Sequence, residues 1–485
     1  MRQYSTRSVC PSRYESVKLL IVSMRKFTRT ISGVTPVAVM TEPGVCPGQC
    51  IYCPTYPGSP RSYTPDSPAV IRARRFDYDA GQQVRKRLET MAQMGHPTDK
   101  IELIVMGGTF LAYSETYQKQ FIKDCYDALN GEDSPLSVDL EEAKRRNETA
   151  RHRCVGLCLE TRPDWCGTAE VARMIEFGVT RVELGVQMLD DEIYQLVRRG
   201  HTVDAVVKAT RLLKEHGFKV HYHWMPGLPG SDPEKDLNLS RQLFSDPRFR
   251  PDGLKLYPTM VVAGTELEKW YDDGRYQLYD DATMTNLVVN IKAIVPGYVR
   301  ISRVLRDIPG KFIVGGLKDS MRDIVKQRMK EQGLECQCIR CREYGHRLRN
   351  GGRVKEPGLV RLDYDASEGK EVLLSFEDDR GTLFGLVRMR VQAKPVAGLG
   401  LNGKGHLALI RELHVYGAEV PLNEQNPSAA QHKGLGKALM VEAERLAREE
   451  FNASLICVLS GVGAREYYRT EFGYTDHAGY MVKEI

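Results

Sequence analysis

Residues 46–53 read Cys-Pro-Gly-Gln-Cys-Ile-Tyr-Cys, which spaces Cys46, Cys50 and Cys53 as C-x3-C-x2-C. Three thiolates on one short loop can grip three irons of a 4Fe-4S cluster and leave the fourth iron open. An open iron can chelate the amino and carboxylate groups of S-adenosylmethionine and deliver the electron that cleaves it. A zinc site with a distant fourth ligand is the competing reading. Zinc sites, however, more often pair a C-x2-C with a second C-x2-C or a His pair, and none lies nearby.

Outward from this loop, short apolar runs alternate with amphipathic stretches. Strands are predicted at 37–40, 101–106, 155–159, 181–185, 220–224 and 254–257, with helices between them at 82–94, 116–129 and 203–216, among others. Six strand–helix repeats predict a parallel sheet curled into a full or partial (βα) barrel, whose working groups sit at the carboxyl ends of the strands. The cysteine loop, the pair Gly107-Gly108, Glu160 and Gln187 all fall there.

Composition agrees with several packed domains. The chain has 485 residues, 42% of them apolar and 27% charged, with a mean hydropathy of −0.38. That is about three domains at roughly 150 residues each. No apolar run approaches the ~20 residues that cross a bilayer, and no apolar core follows the basic amino terminus as in a signal peptide. The expectation is therefore an intracellular, cytoplasmic protein with no membrane partner. Twelve cysteines in such a chain point to ligation rather than disulfides. Residues 1–75 hold eleven Lys/Arg against three Asp/Glu, so the rest of the chain is slightly acidic. A basic amino-terminal arm on a near-neutral body is a footprint for a polyanion, although a solvated tail would look the same.

A second cluster, Cys336, Cys338 and Cys341, lies among basic residues with His346 five positions on. Three thiolates and one nitrogen suit a tetrahedral structural zinc, with His346 a candidate fourth ligand. Beyond 358 the pattern turns to strands, at 371–377, 382–391, 406–415 and 454–459, with a loop or hairpin at 397–404 and a helix at 434–449. Gln431, Gly434 and Gly436 form Q-x-x-G-x-G at the start of that helix, where backbone N–H groups can hold a pyrophosphate. The expected organisation is a basic arm (1–33), a barrel domain (34–290), a connector carrying the cysteine knot (291–356) and an α+β domain (357–485).

C-x3-C-x2-C with Tyr52 before the last cysteine is the motif of the radical S-adenosylmethionine (SAM) superfamily, and Gly107-Gly108 resembles its glycine pair, which binds the methionine amino group through backbone. The Q-x-x-G-x-G helix with its flanking strands resembles the GCN5-related acetyltransferases, which bind acetyl-CoA. The two together resemble the catalytic subunit of the Elongator complex and its single-chain bacterial and archaeal relatives. That likeness rests on 29–41 (RTISGVTPVAVMT), 100–110 (KIELIVMGGTF), 160–165 (ETRPDW), 181–187 (RVELGVQ), 336–343 (CQCIRCRE), 411–417 (RELHVYG) and 460–469 (SGVGAREYYR).

The resemblance implies a tRNA-modifying enzyme. A deoxyadenosyl radical would take hydrogen from the methyl of acetyl-CoA, the carbon radical would add at carbon 5 of the wobble uracil, and thioester hydrolysis would leave carboxymethyluridine. It implies a tRNA anticodon arm as partner, gripped by the arm and by 300–311, a reducing partner for the cluster, and room for a homodimer. By position, Lys100 would contact acetyl-CoA from the barrel. Glu412, Leu413, His414, Val415, Leu435, Gly436 and Lys437 would line that cofactor, and Tyr467 or Tyr468 would sit near the thioester. Glu160, Glu183 and Gln187 would contact SAM or line its pocket, against the alternative that the two carboxylates simply pair with Arg162 or Arg181. A protein lysine acetyltransferase with a merely structural cluster, and a non-enzymatic RNA scaffold, are the competing readings of the whole chain.

Overall fold

The computed structural model describes residues 30–44, 46–317, 321–393, 395–396, 405–417 and 434–485. Residues 1–29 of the basic arm, the 397–404 loop and Gln431 lie outside the described residues.

Seven parallel strands form the first sheet, in chain order: β1 (Thr35–Met40), β2 (Lys100–Met106), β3 (Arg153–Thr161), β4 (Arg181–Gln187), β5 (Lys219–Trp224), β6 (Gly253–Leu256) and β7 (Arg300–Val304). β1 and β7 are not paired with each other, so the barrel is partial. Residues from all seven strands or their immediate flanks line one cavity, which shows that the sheet is curled around it. Its helices start where the sequence supplies caps: Asp79, Ser114, Thr202 and Asp280 each accept a first-turn backbone N–H, satisfying donors that the helix leaves open. The expected helices at 82–94, 116–129 and 203–216 appear as Ala80–Gln93, Glu115–Asn130 and Val203–Glu215.

The sixfold expectation is one strand short. β7 comes from the stretch assigned to the connector and pairs in parallel with β6. It reads Arg-Ile-Ser-Arg-Val, and its polar positions Arg300, Ser302 and Arg303 line the cavity, so no apolar run announces it. The helix Met321–Glu331 packs on the barrel helix Asp281–Ala293, and the cysteine knot that follows is seated on the barrel.

The second sheet also has seven strands, which lie side by side in chain order except that the last two are exchanged. Its strands are β8 (Gly358–Ala366), β9 (Gly369–Glu377), β10 (Leu383–Gln392), β11 (His406–Val415), β12 (Ala453–Val458), β13 (Thr475–His477) and β14 (Tyr480–Glu484). Only β11 and β12 run parallel among these neighbours. One face carries the helix Leu435–Glu449 over Val387, Met389 and Ile410. The other face joins the barrel core through Leu407, Leu409, Cys457 and Leu459. All ten residues of β10 are buried, because both faces are covered.

The sheet docks on the amino-terminal end of the barrel, opposite the cysteine loop. Arg388, Arg390 and Arg411 point at this junction and are essentially unexposed. Arg411 donates to both oxygens of Asp252 at 3.0 Å and lies 3.4 Å from Glu371. Arg388 and Lys214 sit 3.4 and 3.5 Å from Asp252, and Arg390 3.1 Å from Glu371. Burial works against the charge of Asp252, but Arg411, Lys214 and Arg388 hold its carboxyl far below the usual range. Such a network adds little net stability but tolerates only one docking arrangement, since any other leaves buried charges unpaired.

Candidate functional site

A cavity of about 780 Å³ runs the length of the barrel. Cys46, Cys50 and Cys53 line it beyond the carboxyl end of β1, and Glu412, His414 and Tyr416 of the second domain line it at the opposite end. Strand β11 of the second domain therefore forms the floor of the barrel, and the cysteine loop its roof.

At the roof, the turn is closed by Cys53 N–H donating to the Cys50 carbonyl at 3.1 Å and anchored by Ile51 N–H on Val197 O at 3.2 Å. Arg199 Nη1 lies 3.3 Å from Cys50 Sγ. Burial works to raise the Cys50 thiol, but Arg199 and Arg162 bring it below the usual thiol range. A Cβ at Gly48 would overlap Arg162 Nη1, a buried donor without a partner. Gly107 (φ +135°) and Gly108 (φ +93°) follow β2, and a Cβ at Gly107 would overlap Thr41 Oγ1. Only glycine fits there, and it leaves the backbone open to a ligand. Gln187 has φ +72° and a buried side-chain oxygen with no partner. A strained residue with an unpaired polar atom inside a cavity is a mark of a binding position. Three thiols, an open glycine backbone and unpaired polar atoms at one cavity end fit an iron–sulfur cluster with SAM.

Midway down the lumen the carboxylates meet a partner that the sequence reading missed. Lys255 Nζ is 3.1 Å from Glu160 Oε1 and also pairs with Glu183. Tyr63 donates to Glu160 Oε2 at 2.9 Å, and His223 Nε2 lies 3.3 Å from Glu183 Oε2. Arg181 reaches Glu183 at 3.5 Å and pairs with Glu102, whereas Arg162 is taken by Asp164 at 2.8 Å. The internal ion pair expected as an alternative thus exists for Glu183 with Arg181, but Glu160 pairs with Lys255 and not with Arg162. A lone lysine within the otherwise apolar strand Gly-Leu-Lys-Leu was the available signal.

The second domain splits its expected cofactor residues. β11 and β12 pair from His406 with Ala453 to Ile410 with Val458 and no further among the described residues. Past this point Val415 and Leu413 face the helix side, while Glu412 and His414 face the barrel lumen. Val415 Cγ2 and the Tyr467 hydroxyl both lie 3.5 Å from where a Gly436 side chain would begin. Gly434, at φ +75°, opens the helix that carries Leu435, Gly436 and Lys437. Burial raises the Tyr467 hydroxyl to about 12, so it stays protonated. Tyr468 turns away into the core against Phe472 and Tyr474, which removes it from the catalytic candidates. Lys100 opens β2 at the floor, in the alternation that brings Glu102, Ile104 and Met106 to the cavity. Lys437 pairs with Glu471 at 3.1 Å.

The Sγ atoms of Cys336, Cys338 and Cys341 lie within 4.8 Å of one another, the closeness that one metal ion requires. His346 does not join that group; its Nε2 is 3.6 Å from Glu343, which corrects its assignment as fourth ligand. The basic side chains of 300–311 have partners within the chain, although Arg303 and Lys311 stay 44% and 67% exposed. Arg300 pairs with Glu343, Arg303 with Asp307 and Lys311 with Asp66, while Arg306 donates to Ser62 O at 2.6 Å.

Residues 43–240 match the Radical SAM superfamily model, and residues 251–331 match the Radical_SAM C-terminal domain. Over 462 residues the chain is 63% identical to the tRNA uridine(34) acetyltransferase of Dehalococcoides mccartyi, covering 95% of this chain and all of that one. The chain belongs to the Elongator complex protein 3 family. It is 42% identical to human Elongator complex protein 3 over 98% of its own length and 88% of the human protein's. The solved archaeal Methanocaldococcus infernus Elp3 with an N-terminal deletion superposes with a TM-score of 0.83 at 44% identity, over 94% of this chain. Membership of the radical SAM superfamily brings a 4Fe-4S cluster and SAM with it, and no helix among the described residues is long and apolar enough to cross a membrane.

Proposed function

We propose that the protein is a tRNA-modifying enzyme that builds a carboxymethyl group on carbon 5 of the wobble uridine, drawing its two carbons from acetyl-CoA. One observation carries this: a single cavity opens both to the cysteine triad and to the acetyltransferase-like strand. When bound, the cluster and SAM supply a carbon-centred radical able to take a hydrogen atom from an acetyl methyl group, leaving a carbon radical that can add to carbon 5 of uracil, which is not an electrophile for an acetyl carbanion.

The chain's own residues do the rest. Cys46, Cys50 and Cys53 would hold the cluster, with Arg199 favouring the thiolate of Cys50. The backbone of Gly107 and Gly108, the amide of Gln187 and the carboxylates of Glu160 and Glu183 would receive SAM, the last two bridged by Lys255. The exposed backbone N–H groups at the start of Leu435–Glu449 would take the pyrophosphate of acetyl-CoA, and the protonated Tyr467 hydroxyl would lie beside the thioester. Lys100 would meet the acyl end from the floor of the barrel. Cys336, Cys338 and Cys341 would hold a structural zinc beside the floor. The relatives named for uridine(34) supply the tRNA substrate to this reading, and a one-electron donor must feed the cluster.

Anaerobic reconstitution with tRNA, acetyl-CoA, SAM and a reductant, followed by nucleoside mass spectrometry, tests it. Carboxymethyluridine and 5′-deoxyadenosine should form with the wild-type chain and disappear with Cys50→Ser. Acetylation of lysine peptides by both proteins without SAM would overturn it in favour of a protein acetyltransferase.

A further inference from the structure

On the reading just given, a thioester remains on the modified base until water removes it, and the floor of the barrel offers several ionisable groups. All but one are already committed. Glu412 lies 3.3 Å from Lys219 and 3.4 Å from Arg388. Glu102 is paired with Arg181, and Arg300 with Glu343. His221 is wedged against Gly253, where a side chain would begin 2.6 Å from its ring, and its Nδ1 is sealed from solvent.

His414 differs. Its Nε2 is 2.6 Å from the carbonyl oxygen of Ser32. A carbonyl only accepts, so Nε2 carries the hydrogen and the lone pair of the neutral ring sits on Nδ1. Nδ1 makes no hydrogen bond among the described residues, and the residue, only partly buried, lines the cavity. Tyr416 stacks on the ring at 4.3 Å and fixes its plane. Burial first, then Arg300 and Lys219, lower the imidazole below its ordinary range, with Glu412 and the Ser32 carbonyl opposing; the ring is thus a neutral base at pH 7. The neighbouring Val415 faces the Gly436–Tyr467 side. β11 thus turns Val415 to the side expected to hold the thioester and the residue before it, His414, to the lumen.

We propose that His414 is the general base that hydrolyses the carboxymethyl thioester. Nδ1 takes a proton from water as the oxygen attacks the thioester carbon, the Ser32 carbonyl steadies the imidazolium, the C–O bond forms, the C–S bond breaks, and the proton passes to the departing thiolate. Nothing is oxidised or reduced; water and thioester become carboxylate and free thiol, and the second proton of water leaves the new carboxyl group for solvent.

The test uses the full chain and His414→Gln, whose amide can keep the bond to Ser32 O while removing the base. In one arm, a synthetic anticodon stem–loop RNA carrying 5-carboxymethyluridine as its pantetheine thioester is the substrate, and thiol release is followed from pH 5 to 9. Wild type should hydrolyse it with a rate that rises through an imidazole titration and levels off. The variant should be about 100-fold slower, the scale of a lost general base, and lack that titration. In the second arm, complete reconstituted reactions with the variant should accumulate tRNA bearing the coenzyme A thioester. Equal hydrolysis by variant and wild type, no wild-type hydrolysis above buffer, or an unchanged pH profile in the variant would overturn the assignment. Failure of the radical reading shows separately, as absent 5′-deoxyadenosine in wild-type reactions, and leaves the first arm readable.

Discussion

Lys255 is the residue on which the lumen's charge balance turns. Its side chain, 11% exposed, bridges Glu160 and Glu183 at 10% and 2% exposure. Replacing it with methionine keeps the volume but leaves Glu160 without a cation, and the predicted loss is about 3–5 kcal/mol, read as a lower urea midpoint; an unchanged midpoint would show that the bridge is dispensable. Adding Glu160→Gln should restore part of that loss by removing the stranded charge. The sequence made the cysteine triad, the glycine pair, Glu160, Glu183 and Gln187 legible, because spacing and strand ends mark them. It could not show Lys255, Tyr63 or His223 as their partners: the three come from separate stretches of chain and are brought together by the curl of the sheet. His346 failed as a ligand for the same reason. Five residues of separation set no direction, and its ring turned toward Glu343.

Among the elements, β11 was read with its ends correct, from an apolar run closed by a Gly-containing loop. Its two-sided use was not readable, since it depends on β12 ending early. The three strands of the second sheet that were missed lie towards its edges. β8 reads as mostly exposed, and β13 is only three residues long. Between the domains, Gly461 and Gly463 bring the loop after β12 onto β3. A Cβ at Gly461 would overlap the Val155 carbonyl, and one at Gly463 would sit 2.5 Å from Arg153 Cβ. Gly461→Ala therefore forces backbone against backbone at the docking seam. A loss of about 1–3 kcal/mol is predicted, as for overpacking a filled core, with faster proteolysis at the seam; wild-type stability and proteolysis rates would show that the seam yields.

Over the whole molecule, the composition foretold a chain of several domains but not that they share one core. Docking buries Leu407, Leu409, Cys457 and Leu459 in the barrel core and takes its register from charges: Arg388, Arg390 and Arg411 sit in strands whose alternation looks like an ordinary solvated face until Asp252 and Glu371 arrive beneath it. The same burial sets the response to acid. Burial and Arg199 hold His201 at about 3, and burial and Arg181 hold His221 at about 3, against 6.5 when unfolded. Below pH 6.5 the unfolded chain gains protons at these two sites that the fold refuses, so stability present above that pH is lost on acidification, by at most about 1.4 kcal/mol per group per pH unit. Asp236, lifted by burial to about 6, opposes this with one group. The urea midpoint should fall between pH 7 and 5; a flat or rising midpoint would contradict it. The central claim is that radical source and acetyl donor meet inside one barrel. It is tested most directly by running the reconstituted reaction with acetyl-CoA carrying a fully deuterated methyl group and weighing the 5′-deoxyadenosine. One deuterium in the product, dependent on tRNA, is predicted; 5′-deoxyadenosine that forms without deuterium would contradict it.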